Sequence, residues 1–63
     1  MVRYYVVSGD LSNGFDFEHI FRFYKDAEKK YHSIELKNNG AVFKYLYVHD
    51  DAEGDKTIMR ESI

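Results

Sequence analysis

The chain has 63 residues, a formal net charge of −2, no cysteine, no proline, six tyrosines and five phenylalanines. This length predicts one compact domain, residues 1–63, and the absence of cysteine excludes disulfide bonds and thiolate metal sites. The slightly acidic balance disfavours a dedicated nucleic-acid-binding protein. The sequence contains no apolar run long enough to cross a membrane and no signal-peptide layout at its start, so we expect a cytoplasmic protein.

The first predicted element is a strand at 2–8, because this segment is rich in Val and Tyr, which fit a pleated surface. Side chains alternate between the two faces of a strand. Tyr4 and Val6 should therefore share one face, and Tyr5 and Val7 the other. A loop containing two glycines follows.

The segment 16–31 allows two interpretations. Apolar residues recur in it at spacings of three and four, which predicts one long helix with Asp16 as its N-cap. Phenylalanines at odd positions instead favour an extra strand at 15–23 and a shorter helix at 24–32. We take the long helix as the first interpretation, and burial of Phe23 would favour the second.

The C-terminal half predicts three strands, at 33–37, 41–49 and 56–61. The dipeptide Asn39-Gly40 predicts a two-residue type I′ turn between the first two, since such a turn needs positive φ at both positions. A second, acidic turn containing a glycine leads to the last strand.

The turn at Asn39-Gly40 would set the register of the long strand. Phe43, Tyr45 and Tyr47 would then lie beneath the helix, so core packing is their expected role. The rival interpretation is a sheet platform that stacks single-stranded bases, which requires exposed rings.

The same register places Glu35 opposite Lys44. If residues 51–54 form a four-residue loop, Tyr47 faces Ile58, Leu46 faces Met59 and Lys44 faces Glu61. Together these pairs predict a ladder of opposite charges, Glu35–Lys44–Glu61, on the face that the helix leaves uncovered. The expected architecture is an α+β two-layer domain of order β-α-β-β-β. It has a mostly antiparallel sheet of four strands with one helix packed on one face. The alternative, with the extra strand at 15–23, has the order ββαβββ.

No segment matches a catalytic, cofactor-binding or metal-binding motif, so we expect a non-enzymatic protein without cofactor or metal. His19 should lie on the polar side of the helix and His32 at its C-terminal end, where a cation is favourable. The acidic turn lacks the spacing of a calcium loop. Its carboxylates could imitate phosphates toward a basic partner. They belong to Asp50, Asp51, Glu53 and Asp55.

The uncovered face of the predicted sheet also carries apolar side chains. A contiguous apolar patch on a surface usually marks an interface. We therefore expect a small protein-binding module that acts through this patch or a sheet edge, with another protein or a second copy of the chain as partner. The candidate partner-binding residues are Val42, Leu46, Val48 and Met59.

The small size and the Lys-, Asn-, Tyr- and Asp-rich composition are typical of proteins encoded by phages and mobile elements. Such proteins often inhibit a host enzyme, including nucleases of defence systems. Two alternatives remain open. One is a nucleic-acid-binding module that uses the tyrosines or the basic helix side at Arg22, Lys25 and Lys29. The other is a structural homo-oligomer, most simply a homodimer.

Overall fold

A computed structural model describes residues 2–63, which form a four-stranded antiparallel sheet with one helix packed on one face. The expected α+β class is confirmed, and the order is β-β-α-β-β. The strands lie side by side in the order β2-β1-β3-β4. No helix within 2–63 has the length and apolarity needed to cross a membrane. The elements are β1 (Arg3–Leu11), β2 (Asp16–Phe21), α1 (Tyr24–Ser33), β3 (Ala41–Asp50) and β4 (Gly54–Ser62).

The extra strand is real, and the long helix is wrong. β2 pairs with β1 along its whole length, and Phe17 and Phe21 pack against the core from it. Because β2 pairs with β1, both rings lie on the face of the sheet that α1 covers. Phe23 is nevertheless exposed at the start of the helix. Burial of this residue therefore does not distinguish the extra strand from the long helix.

The predicted strand at 33–37 is not formed, and Asn39-Gly40 is not a type I′ turn. Neither residue of that dipeptide has a positive φ. Gly40 instead donates its N–H to the carbonyl of Lys37 (3.1 Å) and accepts a hydrogen bond from the N–H of Ser12 (2.8 Å). The loop is therefore tied to the β1–β2 connection, and β3 pairs with β1.

This pairing reverses the predicted faces of the sheet. Leu46 is fully buried and packs with Ala27 and Tyr31 of α1. Because side chains alternate along a strand, Tyr45 and Tyr47 point to the opposite face, which no helix covers. The expected core role of the tyrosines is therefore wrong.

The predicted pairing of β3 with β4 is correct over half of its length. Lys44 lies opposite Glu61, and Leu46 lies opposite Met59. A β-bulge then shifts the register beyond Leu46, so the predicted pairs nearer the turn are wrong by one residue. An extra residue in one strand of a pair is the usual cause of such a shift.

Lys44 is buried beneath the C-terminus of α1, which contradicts its predicted place with Glu35 on the uncovered face. Its Nζ donates hydrogen bonds to the carbonyls of Tyr31 (2.8 Å) and Ile34 (2.9 Å). It lies 4.2 Å from the centroid of the Tyr31 ring and 3.9 Å from the carboxylate of Glu61. The last carbonyls of a helix have no partner within it, so the ammonium group fastens the end of α1 to the sheet.

The hydroxyl of Tyr31 completes this arrangement by donating a hydrogen bond to Glu61 at 3.0 Å. Burial of the ring, followed by the hydrogen bond to Glu61 and its charge, raises the pKa of Tyr31 to about 12. The hydroxyl therefore remains a donor at neutral pH. The helix, β3 and β4 thus meet at one polar junction, in which Tyr31 and Lys44 are buried and Glu61 is exposed.

We expect Lys44→Met to lower the free energy of unfolding by about 2–4 kcal/mol, because the carbonyls of Tyr31 and Ile34 lose the hydrogen bonds that Lys44 donates. Urea denaturation followed by circular dichroism measures the change. Lys25→Met removes the same charge from an exposed position of α1 and should change stability by less than about 0.5 kcal/mol. Equal losses in the two variants would contradict the anchoring role.

Candidate functional site

The face of the sheet opposite α1 carries an exposed cluster of aromatic side chains. Alternate positions of β3 supply Phe43, Tyr45 and Tyr47, which we call the aromatic row. The ring centroids of neighbours in the row are 5.4 Å apart. At the end of β3, the ring of His49 stacks on that of Tyr4 from β1, with centroids 4.7 Å apart.

Tyr45 stacks on Tyr47, and Phe43 is tilted against Tyr45. The planes of Tyr45 and Tyr47 are inclined by 17°, and those of Phe43 and Tyr45 by 30°. Separations and angles of this size are typical of offset stacking. The two faces of the Tyr45 ring are therefore turned toward its neighbours, and the outer edge of the row remains for contact with a partner.

Carboxylates flank the aromatic row on both sides. β1 and β2 supply Asp10, Asp16 and Glu18, and β4 supplies Asp55, which lies opposite His49. Burial, followed by the charges of Glu18 and other neighbours, raises the pKa of Tyr47. No basic side chain of residues 2–63 forms an ion pair with the three carboxylates of β1 and β2.

A shallow hollow of about 390 Å³ lies over one end of this face. Asp10 and Asp16 are direct partners in the β1–β2 ladder, so they share one face of the sheet, and both line the hollow. Arg60 of β4 also lines the hollow. Ser8, Phe43, Tyr45 and Thr57 complete the lining. The hollow is thus lined by two carboxylates, one guanidinium group, two hydroxyl groups and two aromatic rings.

His49 lies between two carboxylates at the far end of the row. Its Nδ1 is 2.6 Å from Asp55 Oδ1, and its Nε2 is 3.4 Å from Asp51 Oδ1. The hydrogen bond to Asp55, supported by the charges of both carboxylates, raises the pKa of His49. At this end of the face, carboxylates lie within ion-pair distance of a basic side chain. Asp10 and Asp16 of the hollow form no such pair within residues 2–63.

The predicted acidic mimic mainly holds the β3–β4 turn together. Asp50 is buried and accepts hydrogen bonds from the N–H of Ala52 (2.8 Å) and from Arg3 Nε (3.1 Å). These contacts, that of Ala52 first, lower the pKa of Asp50. The mimic was predicted from Asp50, Asp51, Glu53 and Asp55. Since two of the others bind His49, the turn offers fewer free carboxylates than the sequence indicated.

The predicted apolar patch does not form on the surface. Leu46 is fully buried, and Met59 packs against the core. The expectation of a contiguous exposed patch is wrong because β3 pairs with β1 rather than with 33–37, which places the patch residues on the helix-covered face. They are Val42, Leu46, Val48 and Met59.

The predicted basic side of the helix contains an acidic residue and does not include Arg22. Arg22 precedes α1, which begins at Tyr24, so the helix itself presents Lys25 and Lys29 with Asp26 between them. Within the described residues, no group of three or more His, Asp or Glu side chains is arranged to hold a metal ion.

Sequence reasoning missed the carboxylates beside the aromatic row. In β2, Asp16 and Glu18 occupy even positions, while Phe17 and Phe21 occupy odd ones. This alternation was the available signal, because it predicts a strand with one acidic face and one aromatic face. The long-helix interpretation concealed it.

Comparison with known proteins identifies no relative. No protein-family model matches the chain, and no curated protein or solved structure matches it significantly.

We expect Asp55→Asn to lower the pKa of His49 toward its ordinary value, because the substitution removes the closest carboxylate. NMR titration of the imidazole measures the pKa. Glu53→Gln makes the same charge change in the same turn, where Glu53 makes no contact with His49, and should shift the pKa much less. Equal shifts would mean that overall charge, rather than the hydrogen bond, sets the pKa.

The raised pKa of His49 also has a defined sign for stability. Its contribution is complete below the unfolded pKa of about 6.5 and is lost as pH rises through the folded pKa. The difference in unfolding free energy between the wild type and His49→Gln should therefore shrink as pH rises above that range. Urea denaturation across a pH series measures it, and a growing difference would contradict the assignment.

Proposed function

We propose that this protein is a non-enzymatic binding module that docks a partner protein on the open face of its sheet. The observation that carries the proposal is the aromatic row, Phe43, Tyr45 and Tyr47, on a face that no helix covers. Tyrosine offers a large, rigid and amphipathic contact area with little loss of conformational entropy. Aromatic side chains are accordingly enriched in protein interfaces and dominate their energetics.

The shape of the face supports docking rather than catalysis. The hollow beside the row is shallow and open, whereas general acid–base catalysis requires a substrate held within hydrogen-bonding reach. A broad face with a stacked aromatic centre and a charged border resembles the arrangement of a protein interface, which has an apolar core and a polar rim.

Binding of single-stranded nucleic acid is the second candidate, and the solvent-facing rings favour it. Two observations make a protein partner the better proposal. Tyr45 and Tyr47 already stack on each other, and Phe43 lies 5.4 Å from Tyr45 on the other side, which leaves less ring face for bases to stack on. Asp10, Asp16 and Glu18 would also repel a phosphate backbone, whose binding depends on basic side chains.

An inhibitory role follows from the same proposal. A small acidic protein that covers a basic surface of an enzyme can exclude a nucleic-acid substrate from it. We propose that this protein acts in this way on a host enzyme, such as a defence nuclease, as proteins encoded by phages or mobile elements do.

Truncation of one ring tests the proposal. After a partner is captured from an extract of the source organism and purified, Tyr45→Ala should weaken its binding by about 10- to 100-fold, the effect of losing an interface hot spot. Phe23→Ala removes an exposed ring away from this face and should change binding less than about threefold. Isothermal titration calorimetry measures both.

Circular dichroism should first establish that both variants are folded. Equal affinities for the two variants would refute docking on the open face. Tight binding of oligothymidine by the wild type, with no captured protein, would support the second candidate instead.

A further inference from the structure

We infer that the open face recognises a basic protein surface, whose arginine or lysine side chains lie against the carboxylates of Asp10, Asp16 and Glu18. This inference rests on the proposed docking function and specifies the chemistry of the partner.

Two aspartates of the hollow carry like charges and form no ion pair within residues 2–63. Asp10 and Asp16 lie directly opposite each other across β1 and β2. Like charges in directly opposite positions destabilise a sheet, and no cation of residues 2–63 forms an ion pair with either carboxylate. A cationic side chain from a partner would remove this repulsion on binding.

Two rings of the aromatic row, Phe43 and Tyr45, line the same hollow. Phe43 lies opposite Asp10 in the β1–β3 ladder, and Tyr45 is the next residue of the row. A guanidinium group can bind a carboxylate through paired hydrogen bonds and also pack against an aromatic ring. Carboxylates beside aromatic rings therefore suit arginine better than a neutral or anionic group.

Charge also argues against a second copy of this chain as the occupant. In the strands of the described region, the open face carries Asp10, Asp16, Glu18 and Asp55, and only Arg60 and His49 as basic side chains. His49 is already engaged by carboxylates. Two such faces would meet mainly with like charges, which is costly at an interface.

A labelled nona-arginine peptide is the first probe. We expect it to bind the wild-type protein at about 50 mM salt and to lose at least about tenfold in affinity at about 500 mM salt, because screening weakens exposed charge pairs. Amide chemical-shift changes should map to Asp10, Asp16 and Tyr45. Nona-glutamate and oligothymidine should not bind.

A charge-neutralising pair of substitutions is the second test. Asp10→Asn with Asp16→Asn should weaken binding of the arginine peptide at least about tenfold and raise the midpoint of thermal unfolding, since like-charge repulsion is removed. Asp26→Asn with Glu35→Gln changes the net charge equally at exposed positions outside this face. This control should reduce the affinity no more than about twofold.

Several results would overturn the inference: equal losses in the two double variants, shifts that map elsewhere, preferential binding of oligothymidine, or a wild-type dimer through this face. The captured partner separates this inference from the docking function. If Tyr45→Ala abolishes its capture while salt and Asp10→Asn with Asp16→Asn have no effect, the basic partner is refuted and docking stands. If none of the variants matters, both fail.

Discussion

One buried ammonium group joins the two layers of this protein. Lys44 donates hydrogen bonds to the carbonyl of Tyr31 in the last turn of the helix and to that of Ile34, the residue after it. It also lies against the Tyr31 ring with Glu61 nearby. A helix of ten residues is marginal in water by itself, so it depends on this attachment and on the apolar contacts around it. The same interaction also fixes which side of β3 faces the helix.

The exposed aromatic row is a direct consequence. Because side chains of a strand alternate, burying Lys44 and Leu46 turns Tyr45 and Tyr47 outward. Strand β3 thus turns a charged side chain inward and aromatic rings outward, contrary to the usual distribution. Rings on an uncovered face leave apolar area in contact with water that a partner can bury. Local stability and a docking surface therefore arise from the same strand.

Some elements of this fold were predictable from the sequence, and the strand at 33–37 was not. The α+β class, the short helix near 24–32 and the pairing of Lys44 with Glu61 were all predictable, since they follow from periodicity and strand pairing. The predicted strand at 33–37 was wrong because Asn39-Gly40 has the sequence of a hairpin turn. In the structure, the loop that contains it is hydrogen-bonded to the β1–β2 connection instead. The predicted apolar patch was wrong for the same reason, because the exposed face of the sheet was inferred from that turn.

The amino-acid sequence by itself determined which side chains share a face: Phe43 with Tyr45 and Tyr47, and Lys44 with Leu46. That grouping is local, because it follows from the two-residue period of an extended backbone. Only the tertiary structure decided which group is covered. The choice depends on pairing β3 with β1, more than thirty residues away in the chain, and on helix-end carbonyls that can satisfy a buried ammonium group. Neither partner is encoded within the strand itself.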